Sequence, residues 1–169
     1  MEFWDVLNKF GNPTGKIVRR GDKLEENEFH LSVHVWIINS DNKILIQQRQ
    51  SDRTFAPGMW AVHGGKVVSG ETSLQASVRE LKEEIGICIN TDNLKGPTRY
   101  KRKSSNEFCD IYVLKQDVDL KDIKLQKEEV KDIKWVTKTE LQQMIKERSF
   151  YRYSNEYFNC LSKYLNLLL

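Results

Sequence analysis

The chain has 169 residues, 39% of them hydrophobic and 30% charged. That length suits one domain with a single packed core, and the composition excludes the low hydrophobicity of disordered chains. With 27 basic against 24 acidic residues the net charge is +3, a mixed-sign surface that admits an anionic small molecule but does not call for nucleic acid, whose binders concentrate basic charge.

The first residues, Met1-Glu2-Phe3-Trp4-Asp5, lack the basic segment and apolar stretch of a signal peptide. No apolar run approaches the ~20 residues of a membrane span, and the ending Leu167-Leu168-Leu169 is far too short. A cytoplasmic protein without membrane contact is expected. Gly11-Asn12-Pro13-Thr14-Gly15 is a turn cluster, so residues 3–20 are expected to form a hairpin extension of a single domain spanning 1–169. His30 to Ile38 reads as a strand, Asp41-Asn42 as its turn and Lys43 to Arg49 as the returning strand. Residues 51–59 are a loop punctuated by Pro57-Gly58, and Trp60 to Lys66 is one short strand running through Gly64-Gly65.

A helix is expected over 73–85. Thr72 and Gln75 fit a capping box, Leu74, Val78, Leu81 and Ile85 form one apolar stripe, and Gly86 is a stop signal. Strands follow near 87–90, 97–103, 107–115 and 133–136, with a loop carrying a turn of helix over 117–130. Thr137 and Glu140 box a helix near 138–147. A last helix near 154–167 would turn Phe158, Leu161, Leu165 and Leu168 to the core. This irregular alternation is that of a mixed-sheet α/β fold. Cys88, Cys109 and Cys160 are scattered and odd in number, which fits reduced thiols rather than a disulfide framework or a zinc site.

Glu80, Glu83 and Glu84 fall at i, i+3 and i+4 on one helical face. Three carboxylates repel one another unless positive charge sits among them. On the cluster alone a solvated charged face accounts for them. The context tips the balance: Gly64-Gly65 just ahead can bring backbone close to a ligand, and Arg79 can fix a glutamate through a bidentate contact. A divalent cation would complete the neutralisation, since hard cations prefer carboxylate oxygen.

Gly65, five residues, Glu71, seven residues and then Arg79-Glu80-Leu81-Lys82-Glu83-Glu84-Ile85-Gly86-Ile87 match every specified position of the Nudix box, G-x5-E-x7-R-E-U-x-E-E-x-G-U with U aliphatic. The chain thus resembles the Nudix hydrolases, including the MutT-like members. Leu-Ile-Gln-Gln-Arg at 45–49 and Pro57-Gly58-Met59-Trp60 fit the family's order of elements. The resemblance implies the Nudix fold, a mixed β-sheet sandwiched between helices (α/β/α). It makes Glu83 and Glu84 metal ligands, Glu80 a ligand or the general base, the Gly64 carbonyl a further ligand and Glu71 part of the metal site, with Arg79 orienting the glutamates. Many members carry another glutamate in a loop before a late strand. Glu128 and Glu129 stand in such a place ahead of Trp135, and Glu129 is the candidate base or extra ligand, against the plain alternative of a solvated charge. The implied cofactor is Mg2+, with Mn2+ able to replace it, and the implied reaction is hydrolysis of the diphosphate linkage of a nucleoside diphosphate joined to a second group, or of a related organic diphosphate.

Arg49 and Arg53 are candidate phosphate grips, the alternative for each being a surface ion pair, which is the favoured reading for Arg53. Phe55, Trp60, Tyr100, Phe108 and Tyr112 could stack on a base or belong to the core, and Phe55 is the favoured substrate contact among them. His30 and His34 share a strand face and either line the cleft or occupy ordinary polar positions. His63, beside the glycines, is the histidine expected to meet substrate. The stretch from Trp4-Asp5-Val6 through His30-Leu31 to Pro57-Gly58-Met59-Trp60 also resembles type I isopentenyl-diphosphate isomerases. Their cysteine after the tryptophan has no counterpart in Trp60-Ala61-Val62-His63-Gly64-Gly65-Lys66. An isomerase, or a non-catalytic nucleotide sensor of the same fold, is the alternative to hydrolysis. A homodimer through the hairpin or the last helix is compatible with the sequence.

Overall fold

The computed structural model describes residues 1–102 and 105–164. The expected hairpin is present: β1 (Phe3–Leu7) pairs antiparallel with β2 (Pro13–Arg19) as a two-stranded sheet of its own. Trp4, Val6 and Val18 make a small apolar cluster inside it. Leu7 joins Phe29 and Phe108, and Leu7 and Phe29 exchange backbone hydrogen bonds of 2.7 and 2.8 Å that tie the hairpin to the rest of the fold.

The main sheet contains seven strands among the described residues, mixed in direction. β3 (His30–Ile38) runs parallel to β8 (Glu107–Lys115) along its whole length, and β7 (Leu94–Arg102) pairs antiparallel with β8. On the other side β3 meets β4 (Ile44–Arg49) at only two residue pairs, Ile37 with Leu45 and Ile38 with Ile44. Beyond these the two strands part, and the segment expected as one strand over 60–66 fills the fork as two. β5 (Trp60–Ala61) pairs with β4, and β6 (His63–Lys66) pairs with β3. β9 (Val130–Val136) covers the outer edge of β4. Gly64 sits where the fork is tightest. Its φ is +141°, and a Cβ there would lie 2.0 Å from the Val33 carbonyl oxygen, so only glycine fits.

The sheet is covered on both faces. α1 (Ser73–Ile85) packs on Val33, Val35, Ile37, Leu45 and Leu114. α2 (Lys138–Lys146) and α3 (Asn155–Ser162) pack on the opposite face through Leu141, Met144, Tyr157 and Leu161 against Trp36, Ile46, Ile111 and Val113. This is the expected α/β/α arrangement. Both capping boxes are formed, Thr72 with Gln75 and Thr137 with Glu140, and Gly86 closes α1 in the left-handed conformation.

Three expectations need correction, and one lies partly outside the described residues. The stripe assigned to α1 is rotated: the buried residues are Ala76, Ser77, Leu81, Glu84 and Ile85, while Leu74 is 42% exposed. Small Ala76 and Ser77 let the helix sit close to the sheet, which carries Leu74 off the contact line. Residues 87–90 form no strand, and Ile87 and Ile89 instead pack into the core beside α1. β7 and β9 each begin three residues before the expected strands near 97–103 and 133–136, because pairing with β8 and β4 extends them through charged positions that carry no apolar pattern. The last helix is described over Asn155–Ser162, and Leu165 and Leu168 lie outside the described residues.

The rotated stripe gives a direct contrast. Leu81→Ala should lower unfolding free energy by about 2–5 kcal/mol, whereas Leu74→Ala should change it by no more than ~0.5 kcal/mol. Urea denaturation of both variants checks this, and equal losses would contradict the observed helix orientation.

Candidate active site

A cleft of about 490 Å3 opens where the β5–β6 segment meets the start and exposed flank of α1. Its lining includes Gly64, Gly65, Lys66, Arg79, Glu80 and Glu83 on one side, and Arg49, Arg53, Phe55, Arg102, Glu107, Glu129, Tyr151 and Tyr153 around the rest.

Arg79 organises the acidic side. Its Nε and Nη2 donate to the two oxygens of Glu71, each at 2.9 Å. Nη1 donates to Glu80 at 2.8 Å and to Glu83 at 3.0 Å, and Nη2 also reaches the Lys66 carbonyl at 3.0 Å. These contacts hold the guanidinium still more firmly in its charged form, the Glu71 hydrogen bonds contributing most. Glu71 is thereby spent. Its carboxylate accepts from Arg79 and from the Val68 N–H, so it positions the arginine rather than facing the cleft as a metal ligand.

Glu80 lies against Gly65, where a Cβ would come within 2.3 Å of its carboxylate. The second glycine therefore makes room for a glutamate, in addition to any ligand. Burial pushes the Glu80 carboxyl up to about 7, the neighbouring Glu84 charge adds to this, and Arg79 opposes it. Glu83 is half exposed at the cleft mouth. Glu84 is buried at 2% exposure, accepting from the Gln47 side chain at 2.8 Å and from the Gly64 N–H at 3.2 Å. Among the described residues, no three His, Cys, Asp or Glu side chains already converge around one point as a metal group would require. The glutamates are gathered on Arg79 instead.

His63 was expected to contact substrate, and the structure corrects this. The ring is fully buried behind the glycine pair, with Nδ1 3.7 Å from Glu84 Oε2 and neither nitrogen hydrogen-bonded. Strand alternation explains it: His63 pairs with Val35, whose side chain belongs to the α1 layer. His30 also turns away from the cleft. It stacks on Trp4 at 4.6 Å and bonds Lys66 Nζ through Nε2 at 2.8 Å. His34 does line the cleft. Burial drives its pKa down to about 3; Glu107 opposes this, while Arg102 and Lys66 add to it.

Arg49, Arg53, Phe55 and Glu129 all reach the cleft wall. Arg53 and Glu129 pair with each other at 3.3 Å. Arg49 donates to the Phe55 carbonyl at 2.9 Å and lies 5.8 Å from that ring, which also packs on Tyr151 at 5.0 Å. The other candidate aromatics belong elsewhere: Phe108 and Tyr112 are buried, Trp60 stacks under Lys134, and Tyr100 packs on Tyr157. Glu128 does not line the cleft.

The sequence reading missed Lys66, Arg102 and Glu107. Glu107 is buried, accepts from the Ser32 hydroxyl, and lies 3.1 Å from Lys66 Nζ and 3.6 Å from Arg102. A signal was available, because Arg102 and Glu107 face each other where β7 ends and β8 begins and an opposite-charge cross-strand pair is a known stabiliser. Burial alone would raise the Glu107 carboxyl, but Lys66, Arg102 and Ser32 outweigh it and hold the pKa down to about 2. A group depressed from 4.5 in this way stabilises the fold above its unfolded value and loses that contribution as pH falls toward 2. Glu107→Gln should therefore be less stable than the parent near neutrality by a few kcal/mol, and the gap should narrow steadily between about pH 6 and pH 3. Urea titrations across that range measure it, and a gap independent of pH would contradict the ion-pair account.

Known proteins resemble this chain in sequence and fold. The family model for the NUDIX domain matches residues 28–157. An uncharacterized Nudix hydrolase of Listeria monocytogenes is 41% identical over 162 residues, which cover 94% of this chain and 95% of that protein. The isopentenyl-diphosphate Delta-isomerase of Escherichia coli is similar at 24% identity over 137 residues, 77% of this chain and 74% of that one. A crystal structure of a Deinococcus radiodurans protein shares the fold, with a TM-score of 0.76 at 22% identity over 96% of this chain and 99% of that one. With the box spaced as it is, and its glutamates gathered on Arg79 at the mouth of a cleft, the chain belongs to the Nudix hydrolase family.

Proposed function

We propose that this chain is a divalent-metal-dependent hydrolase that cleaves the diphosphate linkage of a nucleoside diphosphate joined to a second group, or of a related organic diphosphate, by water attack at phosphorus. The observation that carries the reading is the charge arrangement of the cleft. Glu71, Glu80 and Glu83 share one guanidinium, with Glu84 close behind, so carboxylate charge exceeds what Arg79 can balance. The donors are all hard oxygens, which fits Mg2+ or Mn2+. Glu83 and Glu84, with the Gly64 carbonyl, are the groups that would hold such an ion, and Glu80 would either join them or serve as the base. When bound, the ion would neutralise phosphate oxygens and lower the pKa of a coordinated water.

The chain's own residues divide the remaining work. Arg79 keeps Glu80 and Glu83 at the cleft mouth. Arg49 and Arg53 stand opposite them, where they can grip a diphosphate, Arg53 by exchanging Glu129 for a phosphate oxygen. If it is not a ligand, Glu80 at the cleft is the first candidate to take the proton of the attacking water. Glu129 is the second candidate for that role. The isomerase alternative gains no support, since among the described residues no cysteine lines the cleft and Cys109 is fully buried with its thiol pushed strongly up by burial.

The test is phosphate-coupled turnover across nucleoside triphosphates, nucleotide sugars, dinucleotides and isoprenoid diphosphates, with Mg2+ and with chelator. Cleavage that chelator abolishes is expected. Glu83→Gln should keep the native circular dichroism spectrum while losing activity by about 100-fold or more. Undiminished turnover in that variant would sink the assignment of the metal site.

A further inference from the structure

The wall of the cleft away from Arg79 carries polar groups that the reaction as described does not use. Ser32, His34 and Trp36 share one face of β3, the face that meets α3. The Trp36 Nε1–H donates to the Tyr157 hydroxyl oxygen at 2.9 Å. An indole nitrogen can only donate, so that oxygen accepts there and keeps its own single proton for another partner. His34 Nδ1 lies 2.9 Å from the same oxygen. Trp36 and His34 are the partners of that hydroxyl among the described residues, so its proton is satisfied only by donation to Nδ1, which then carries a lone pair and leaves the proton of the neutral ring on Nε2. Tyr153 and Tyr157 pack edge-on against the imidazole at 5.4 and 5.5 Å, which holds its orientation.

The result is one N–H donor of fixed tautomer in a residue that lines the cleft, and among the described residues nothing bonds to it. The charged groups around it are already matched: Glu107 is taken up by Ser32, Lys66 and Arg102. A phosphate would be drawn to the arginines of the opposite side, which offer full charge. What a lone neutral donor recognises well is a neutral acceptor. A hydrocarbon chain laid on this wall would strip water from the N–H and from the Glu107 ion pairs and return nothing, a penalty that sites built around polar groups use to reject apolar analogues.

We propose that His34 Nε2–H is a specificity-determining donor that hydrogen-bonds a neutral oxygen or nitrogen on the group attached to the diphosphate, so that the protein takes diphosphates bearing a sugar or base and rejects those bearing a hydrocarbon chain. The inference rests on the diphosphate-hydrolase reading for the orientation of the ligand, and it is tested without requiring turnover.

Long-range proton–nitrogen NMR of the 15N-labelled protein should show His34 with Nε2 protonated and Nδ1 bare, and Tyr157→Phe should remove that preference. The opposite tautomer in the parent protein would overturn the proposal. Calorimetric titration with Mg2+ present then compares ADP-ribose, UDP-glucose and geranyl diphosphate. At least one sugar-bearing compound should bind about tenfold or more tightly than geranyl diphosphate. His34→Leu should close most of that gap, and His34→Gln, which keeps an N–H donor, should preserve part of it. Tyr157→Phe should narrow it as well, which keeps the test alive if His34→Leu does not fold. Tightest binding of geranyl diphosphate, no binding of either sugar compound, or a gap unchanged in both His34→Leu and Tyr157→Phe would each defeat the assignment. Discrimination as expected but with no hydrolysis of any compound would leave the His34 assignment standing and remove the hydrolase reading instead.

Discussion

The architecture of the site depends on the saturation of one guanidinium. Arg79 has five N–H donors, and the five hydrogen bonds it makes go to Glu71, Glu80, Glu83 and the Lys66 carbonyl. No donor is left over for a substrate. A lysine could not replace it, because a point charge with three donors cannot hold three carboxylates and a strand carbonyl in fixed directions. The contact with Lys66 fastens α1 to β6, and the contact with Glu71 fastens the intervening loop. One residue thus sets the positions of helix, strand and loop relative to one another, and the glutamates inherit their places from it.

The fork in the sheet supplies the second constraint. β3 and β4 separate after two residue pairs, and the gap admits β5 and β6. Gly64 lets β6 run against β3 more closely than any side chain would permit. The same fork sends the N–H of Gly64 to Glu84 and brings Arg49, at the end of β4, round to the far side of the cleft. A sheet paired evenly throughout would have no such opening. The cleft also has two electrostatic characters, with surplus carboxylate on the α1 side and, around the rest, Arg49 beside the Arg53–Glu129 and Arg102–Glu107 ion pairs.

Much of this was legible in the sequence, for identifiable reasons. α1 was readable to the residue because its ends are written in local chemistry, Thr72 with Gln75 at one end and Gly86 at the other. Its orientation was not, since Ala76 and Ser77 are buried by tertiary fit that hydropathy ignores. The box glutamates were findable from spacing. That Glu71 serves Arg79 rather than the cleft was not, because spacing does not say which oxygen a guanidinium takes. His63 misled through its position beside the glycines, where one step of strand alternation decides between cleft and core. The Lys66–Glu107 contact and the Trp36–Tyr157–His34 chain join residues far apart in sequence, and no local pattern announces them, whereas Arg102 and Glu107 were open to reading as a cross-strand pair.

The family model begins at residue 28, after the hairpin at 3–19. That hairpin nonetheless holds the loop that bears Glu71. The Asp5 carboxylate accepts from the Ser69 hydroxyl at 2.6 Å and the Gly70 N–H at 3.0 Å, and the Ser69 N–H donates to the Phe3 carbonyl at 2.8 Å. The hairpin is therefore clamped onto the loop that leads into α1. Alterations to the first few residues, whether an affinity tag or a trimmed terminus, should reach Arg79 through Glu71 as mechanical slack, so that the amino-terminal end acts as a tensioner for machinery more than sixty residues further along the chain.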